Sequence, residues 1–201
     1  MPLFHSTLNP QLSTSPPILI LASASPRRRD LLQAHGYDFQ VVPADVTEIA
    51  PPHLTPGEIT LFNARSKARH VAESHPDTVV IGVDTIVAFE GEIFGKPRDM
   101  EHALQMLRRL NGRAHEVWSG VWLMRGRRET GFNELTRVRF RTLGEPQLRA
   151  YLARIGPLDK AGAYAAQDDR GELIECFEGC FDNVIGLPMK SLAWVLRKFA
   201  E

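Results

Sequence analysis

The chain has 201 residues, with 24 lysines and arginines and 24 aspartates and glutamates, so its formal net charge at pH 7 is zero. Proteins that bind mainly nucleic acid or an anionic membrane are usually strongly basic, so neither is favoured as the principal partner. Hydrophobic residues make up 43% of the chain and charged residues 24%, which is typical of a globular protein and argues against intrinsic disorder.

The sequence predicts a tail followed by one domain. Residues 1–17 are polar and contain four prolines without apolar periodicity, so we predict a loose tail there and a single domain over residues 18–201. No apolar run approaches the ~20 residues of a membrane-spanning helix, and the tail lacks the pattern of a secretory signal. Cys176 and Cys180 have no metal-ligand spacing, so we expect reduced thiols in a cytoplasmic protein.

Apolar periodicity and capping signals predict alternating strands and helices. Strands are predicted at residues 18–22, 39–42, 78–89, 115–124, 133–142 and 172–177, and helices at 26–34, 56–74, 100–110, 146–155 and from 188 onward. Ser25 and Thr55 are the expected N-caps of the first two helices, the second with a capping box. Neighbouring strand pairs suggest antiparallel pairing. The predicted fold class is therefore α/β, with a mixed, partly antiparallel sheet and flanking helices.

The junction Ser23–Arg29, between the first strand and the first helix, is a candidate anion site. A helix amino end presents unpaired N–H groups and a partial positive charge, which attract anions. Two hydroxyl side chains and three consecutive arginines lie in the same segment. Because successive helical residues point about 100° apart, at most two of these arginines, Arg27 and Arg28, can face one ligand. The segment predicts a phosphate site, and a capped helix with solvated arginines is the alternative.

Asp84 lies in the middle of the otherwise apolar strand Ile81–Val87. Burying a carboxylate costs free energy unless it has a cation or a catalytic task. A carboxylate on a strand is also held rigidly, which suits a metal ligand or a general base. No helix start or turn signal flanks Asp84, so a functional role is favoured over a capping role.

Two further segments carry charged side chains in restricted surroundings. Lys96 stands between a glycine and a proline, which predicts a positioned cation or, alternatively, a solvated loop lysine. In Leu158–Gln167, the pair Asp159 and Lys160 precedes small residues that leave room for another group. Gln167 offers both donors and acceptors, as needed to read the edge of a base. A packing segment with an incidental ion pair is the alternative.

Motifs of other enzyme classes are absent from the sequence. The seven histidines are scattered, so no Ser-His-Asp or Cys-His set is suggested. Neither GxxxxGK[ST] nor GxGxxG is present. A covalent hydrolase and a P-loop NTPase are therefore both disfavoured.

Six stretches together resemble the Maf family of nucleoside triphosphate pyrophosphatases. In the family's order and spacing, they are LILASASPRRRDLL, VIGVDTIV, GEIFGKPRD, LNGRAHEV, LDKAGAYAAQ and NVIGLP. The resemblance implies an ITPase-like fold with a cleft between two lobes. It implies a nucleoside triphosphate substrate cut between its α- and β-phosphates, a divalent cation (Mg²⁺ or Mn²⁺), and no nucleic-acid or membrane partner. A homodimer is common in the family.

The resemblance also implies roles for individual residues. Asp84 matches the proton acceptor that activates water, and Lys96 and Arg28 match catalytic cations. The matching substrate-binding residues are Ser25, Arg27, Lys67, Thr85, Lys160 and Gln167, and the metal ligands are Glu48, Asp84 and Asp159. Arg27, Thr85 and Gln167 match the specificity positions of the branch that prefers dTTP and UTP. The segments 165–168 and 180–182 depart from the family pattern near the expected base pocket.

The leading hypothesis is thus a metal-dependent pyrophosphatase acting on dTTP, UTP or related modified pyrimidine nucleotides. The first alternative is a non-catalytic nucleotide-binding regulator of cell division, and the second is a phosphate-ester transferase or nucleotidyltransferase. Asp84 favours catalysis, because a sensor gains little from a rigid carboxylate that faces an anionic ligand.

Overall fold

The computed structural model describes residues 19–200, with the side chain of residue 200 left out, so the predicted tail at residues 1–17 lies outside the described residues. The strands are β1 Leu19–Leu21, β2 Phe39–Val41, β3 Val79–Phe89, β4 Glu92–Phe94, β5 Ala114–Arg125, β6 Arg128–Phe140 and β7 Ile174–Glu178. The helices are α1 Pro26–Ala34, α2 Pro56–Ala72, α3 Met100–Leu110, α4 Glu145–Ile155, α5 Phe181–Ile185 and α6 Met189–Ala200. Within the described part of the chain, no helix has the length and apolar character needed to cross a bilayer.

The seven strands form one mixed sheet. Its order is β2-β1-β3-β5-β6-β7, and β4 also pairs with β3. β1 runs parallel to both β2 and β3, whereas β4, β5, β6 and β7 join by antiparallel pairing. The predicted fold class, a mixed and partly antiparallel α/β sheet with flanking helices, is confirmed.

One edge of β3 is paired only at its two ends. β1 pairs with Val79–Ile81 and β4 with Val87–Phe89, while β5 pairs along the opposite edge from Val80 to Ala88. Within residues 19–200, no strand therefore lies beside residues 82–86 on the first edge. Asp84 and Thr85 lie in this gap, with successive side chains on opposite faces of the sheet.

Helix α2 packs very closely against the sheet. Thr55 and Glu58 form the predicted capping box that begins it. A Cβ atom at Gly82 would overlap the Ala64 backbone, and one at Gly120 would overlap the Thr60 backbone. Because only glycine fits at Gly82 and Gly120, α2 can approach β3 and β5 closely enough for its side chains to reach Asp84.

Apolar clusters flank the gap in β3. One cluster joins β1, the first half of β3, α1 and α6, and includes Leu21, Ile81 and Leu192. A second joins the end of β3 to α3, α4 and the segment before β7, and includes Leu107 and Tyr151. The gap in β3 thus lies between these two apolar clusters.

The structure differs from the predicted elements most in four segments. Strand β6 begins at Arg128, five residues before the predicted start at residue 133, because its pairing with β5 continues to the turn after Arg125. A tight turn at Glu90 and Gly91, both with positive φ, leads into β4, which is too short for a sequence pattern to reveal. Three 3₁₀ turns occupy Pro157–Asp159, Ala161–Ala163 and Ala166–Asp168. The predicted connection after Cys180 contains the five-residue helix α5.

Candidate active site

A cleft of about 380 Å³ opens at the gap in β3. Its walls come from the start of α1, the loop after β2, α2, β3, the loop after β4, the 3₁₀ segment and the end of α5. Five basic and three acidic side chains line it, a surplus of two positive charges: Arg27, Arg28, Lys67, Lys96 and Lys160 with Glu48, Asp84 and Asp159. Of the predicted site residues, only Gln167 is missing from the lining.

Asp84 is held at the bottom of the cleft by two side chains of α2. It is 4% exposed; its Oδ1 lies 2.8 Å from Lys67 Nζ, and its Oδ2 accepts a hydrogen bond of 3.0 Å from Asn63 Nδ2. Lys67 Nζ also lies 2.6 Å from Glu48 Oε1 and donates to the Val83 carbonyl oxygen. Lys67, predicted to bind substrate, is thus engaged by two carboxylates at once.

The acidic side chains of the cleft do not gather into the predicted set of three metal ligands. Glu48 and Asp84 converge on the same ammonium group. Asp159 instead pairs with Arg27 at 3.1 Å and with Lys160, and no group of three potential metal ligands occurs between residues 19 and 200. The structure therefore does not bring Asp159 together with Glu48 and Asp84, and it pairs the charge of Asp159 with two cations instead.

Two carboxylates nevertheless fit a magnesium ion. Mg²⁺ prefers hard oxygen donors, and it is usually held by one or two carboxylates together with water and substrate phosphates. Glu48 and Asp84 provide such donors, and both already contact a cationic group.

The Arg28 guanidinium is fixed by three hydrogen bonds. Its Nε donates to the Gly186 carbonyl oxygen at 2.9 Å, Nη1 to Ser23 Oγ at 2.8 Å and Nη2 to Thr85 Oγ1 at 3.1 Å. Burial lowers the pKa of Arg28, while Asp84 opposes this shift, and an arginine keeps its charge in proteins. Two of its five N–H groups are left for a ligand.

The start of α1 has no side-chain cap. Ser25 is the N-cap residue, as predicted, but its side chain makes no capping hydrogen bond. The first turn of α1 also contains no acidic residue. Its unpaired N–H groups therefore keep their affinity for an anion at the mouth of the cleft.

Charged residues around the opening are more exposed. Asp159 has 60% of its side chain exposed, against 26% for its partner Arg27. Partial burial favours the neutral acid, but hydrogen bonds from Lys160 and Arg27 hold the pKa of Asp159 below its usual value. Lys96 is exposed and has no ion pair with another residue in the described range 19–200. Lys96 is therefore the basic residue of the cleft with the fewest polar contacts to other described side chains.

Gln167 lies outside the cleft, contrary to the expectation from the sequence. Ala165 and Ala166 line the cleft, but the 3₁₀ turn at Ala166–Asp168 carries Gln167 to an exposed position in an adjoining groove. That groove also includes Phe181. A turn between neighbouring residues is enough to separate a side chain from its expected site.

Tyr164 lines one wall of the cleft, and the buried His115 contacts it from the protein interior. Its hydroxyl group lies 3.0 Å from Nε2 of His115, which is 3% exposed. Burial lowers the pKa of His115 to about 3, so this imidazole is neutral and acts as a packing group near neutral pH.

Sequence reasoning missed two polar residues behind the cleft. Ser119 is fully buried, and its hydroxyl lies 2.8 Å from that of Thr85, its cross-strand partner. Asn63 contacts Asp84 from α2, four residues before Lys67. The available signal was this four-residue spacing, which places two polar side chains on the buried face of one helix.

Comparison with known proteins gives results at the levels of sequence and fold. A family model described as "Maf-like protein" matches residues 18–199. A dTTP/UTP pyrophosphatase of Pelotomaculum thermopropionicum is 45% identical over 183 residues, covering 90% of this chain and 96% of that protein. A dTTP/UTP pyrophosphatase of Bacillus cytotoxicus is 40% identical over 180 residues, covering 90% and 94%. Among solved structures, the Staphylococcus aureus Ham1 protein is similar in fold, with a TM-score of 0.52 and 15% identity over 90% of this chain and 98% of that one.

Proposed function

The chain belongs to the Maf family, and we propose that it is a pyrophosphatase that cuts dTTP and UTP between the α- and β-phosphates. The products are the nucleoside monophosphate and pyrophosphate. Two relatives named dTTP/UTP pyrophosphatase, at 45% and 40% identity, support the reaction and the pyrimidine preference. The structural observation that carries the proposal is the cleft itself, in which Asp84 lies beneath a surplus of positive charge.

The charge of the cleft suits a triphosphate. A nucleoside triphosphate that carries a divalent cation has about two net negative charges, because the cation neutralises part of the phosphate charge. The cleft has five basic and three acidic side chains, so its surplus balances this charge. Lys96 and the two free N–H groups of Arg28 are the donors best placed to bind phosphate oxygens.

Asp84 is proposed as the proton acceptor for the attacking water. A general base must be held within hydrogen-bond reach of the proton that it removes. The strand, Lys67 and Asn63 restrict the Asp84 carboxylate to one orientation. Arg28 and Lys96 would offset the negative charge that develops on the phosphate oxygens and on the departing pyrophosphate.

A divalent cation, Mg²⁺ or Mn²⁺, is part of the proposal, with Glu48 and Asp84 as the residues that would hold it. When bound, such an ion supplies Lewis-acid stabilisation of the phosphoryl oxygens. Lys67 keeps the two carboxylates close together and compensates their mutual repulsion. Asp159 is left out of this ligand set because it is paired with Arg27 and Lys160.

The pyrimidine preference is proposed to depend on Arg27 and Thr85, which line the cleft. Gln167 would contribute only if the base extends past Ala166 into the adjoining groove. The homodimer and the cytoplasmic location stay predictions.

The test is a pyrophosphate-release assay over the canonical ribo- and deoxyribonucleoside triphosphates. The nucleotide is incubated with the protein in Mg²⁺ or in EDTA, the protein is then heat-inactivated, and excess Mg²⁺ is added with or without inorganic pyrophosphatase before phosphate is measured. We expect phosphate only after incubation in Mg²⁺ and only with the coupling enzyme, fastest from dTTP and UTP. Phosphate without the coupling enzyme would mean cleavage at the γ-phosphate. No product would favour the regulator, and product only with an added acceptor would favour the transferase.

A further inference from the structure

Asn63 is a buried polar residue on the face of α2 that packs against the sheet. It is 3% exposed, and a buried carboxamide needs hydrogen-bond partners. Its two amide hydrogens go to two acceptors at 3.0 Å each, the Ile49 carbonyl oxygen and Asp84 Oδ2. Its own oxygen accepts from the Ile49 N–H at 3.0 Å. The carboxamide is thus paired with both backbone groups of one residue and with one oxygen of Asp84.

These bonds connect two of the three acidic residues of the cleft, Glu48 and Asp84, to one helix. Ile49 follows Glu48 directly, so pairing with both of its backbone groups fixes the main chain beside Glu48. That loop joins β2 to α2 and has no regular secondary structure near Glu48. Lys67, one turn further along α2, contacts the carboxylates of both Glu48 and Asp84. Asn63 and Lys67 share one face of the helix because they are four residues apart.

We propose that Asn63 is a positioning residue that sets the relative placement of Asp84 and Glu48 for the reaction. This inference rests on the proposed pyrophosphatase function. Asn63 is not among the residues that line the cleft, so it acts through its two partners and not by touching the substrate. Reacting groups must be held closely: a displacement of about 1 Å can lower turnover by about 10²-fold.

Two substitutions separate the hydrogen bonds from the volume of the side chain. Asn63→Leu has a similar size and loses all three bonds. Asn63→Asp keeps the shape and still accepts from the Ile49 N–H, but an ionised carboxylate cannot donate to Asp84 and adds a negative charge beside it. Both variants remove the Asp84 contact, and only the first also releases the Ile49 N–H.

Thr60→Val is the matched control. Thr60 lies on the same helix and is fully buried. Its hydroxyl oxygen lies 3.0 Å from the Pro56 and Gly57 carbonyl oxygens and 3.2 Å from Asn133 Oδ1, any one of which can accept its single hydrogen, and it has no contact with Asp84. Valine keeps its shape and removes these bonds. The control therefore reports what the loss of a buried polar contact on α2 does in general.

The kinetic experiment measures kcat and KM for dTTP with Mg²⁺ at 25 °C and pH 8, with the melting temperature of each variant. We expect kcat to fall about 10²-fold in Asn63→Leu and in Asn63→Asp, with KM changed less than about threefold. Thr60→Val is expected to lower the melting temperature but to keep kcat within about threefold. If kcat is unchanged in both Asn63 variants, or falls equally in Thr60→Val, the inference is wrong.

Hydrogen exchange at the Ile49 amide supplies a readout that needs no turnover. We expect this amide to lose protection in Asn63→Leu and to keep it in Asn63→Asp, because the latter still offers an acceptor. Unchanged protection in Asn63→Leu would contradict the tie to the loop. A wild-type protein that releases no pyrophosphate would refute the proposed function, whereas an active wild type with fully active Asn63 variants would refute only the positioning role.

Discussion

The floor and the rim of the cleft use the same kinds of charged residue in different surroundings. The floor consists of Lys67 and Asp84, which Asn63 supports from behind, and the rim of Arg27, Lys96 and Asp159. Lys160 pairs with Asp159 but has only 12% of its side chain exposed, so it belongs to neither group. The side chains of the Lys67–Asp84 pair are 10% and 6% exposed, against 26% and 60% for the Arg27–Asp159 pair. Breaking a buried ion pair leaves an uncompensated charge in the interior, whereas an exposed charge is solvated by water.

This difference in burial indicates that the floor and the rim contribute differently to catalysis and to binding. The floor is rigid before a ligand arrives, since Asp84 already has a partner on each oxygen. The rim can exchange its ion pairs for contacts with a ligand at little cost, because its charges are already partly solvated. We therefore expect floor substitutions to change both turnover and stability strongly. Rim substitutions should change mainly the contacts with the bound substrate and its transition state, with little effect on stability.

The largest effect is expected for Asp84→Asn. It removes the proposed base from the floor while keeping its shape, and should lower kcat by about 10²–10⁴-fold with the fold intact. Pyrophosphate release and circular dichroism test this. Asp169→Asn is the control: Asp169 is 3% exposed and accepts from the backbone N–H groups of Leu173 and Ile174, outside the cleft. The Asp169→Asn variant should lose about 1–2 kcal/mol of stability and keep its kcat.

Near-normal turnover in Asp84→Asn would show that Asp84 is not the proton acceptor of the reaction.

Lys67→Met tests the floor through stability. Without the ammonium group, Asp84 keeps a buried charge that no cation contacts, and the free energy of unfolding should fall by about 3–5 kcal/mol at pH 7. Urea unfolding measures this, with the exposed Lys190→Met as the control. A loss below about 1 kcal/mol would mean that the floor pair behaves like a surface pair.

Lys96→Ala tests the rim through catalysis. Lys96 is exposed and has no ion pair among residues 19–200, so its removal should leave stability unchanged. Transition-state stabilisation should fall by roughly 2–4 kcal/mol, seen in kcat/KM for dTTP. Arg98→Ala, a cation on the same loop that does not line the cleft, is the control. A rise in KM alone would make Lys96 a binding residue only.

The smallest effect is expected for Asp159→Asn. It breaks an exposed ion pair, so the free energy of unfolding should change by less than about 1 kcal/mol. The Mg²⁺ concentration that gives half-maximal activity should also stay the same, since Asp159 is directed toward Arg27 and Lys160. A large increase in that Mg²⁺ concentration would show that Asp159 helps to hold the metal ion.

Much of the fold could be predicted because its signals are local. Helix α1 has the predicted bounds, and α2 begins at the predicted capping box of Thr55 and Glu58. These features depend on residues within one turn of each other. The predicted side-chain cap at Ser25 is absent, although the helix begins where expected. Position follows from local sequence, but the hydrogen bond also depends on what else lies near the hydroxyl group.

The sequence predicted which residues line the candidate site better than it predicted which of them contact one another. The sequence indicated that Asp84 is buried and functional, since a carboxylate in an apolar strand needs a reason. The four-residue spacing of Asn63 and Lys67 indicated a shared helix face. The sequence could not show that both side chains would contact Asp84, because that contact depends on how α2 packs against the sheet. Nor could it show that Gln167 would be carried out of the cleft by a 3₁₀ turn.

The sequence by itself determined the longer strands and helices, the mixed sheet and the presence of a buried acid among basic residues, because these follow from periodicity, capping and the free energy of burial. Only the tertiary structure decided which charges meet. Arg27 and Asp159 are 132 residues apart in the chain, and Lys67 reaches Asp84 because Gly82 and Gly120 let α2 lie against the sheet. Such contacts depend on how whole elements pack, and no local pattern of residues encodes the distance between them.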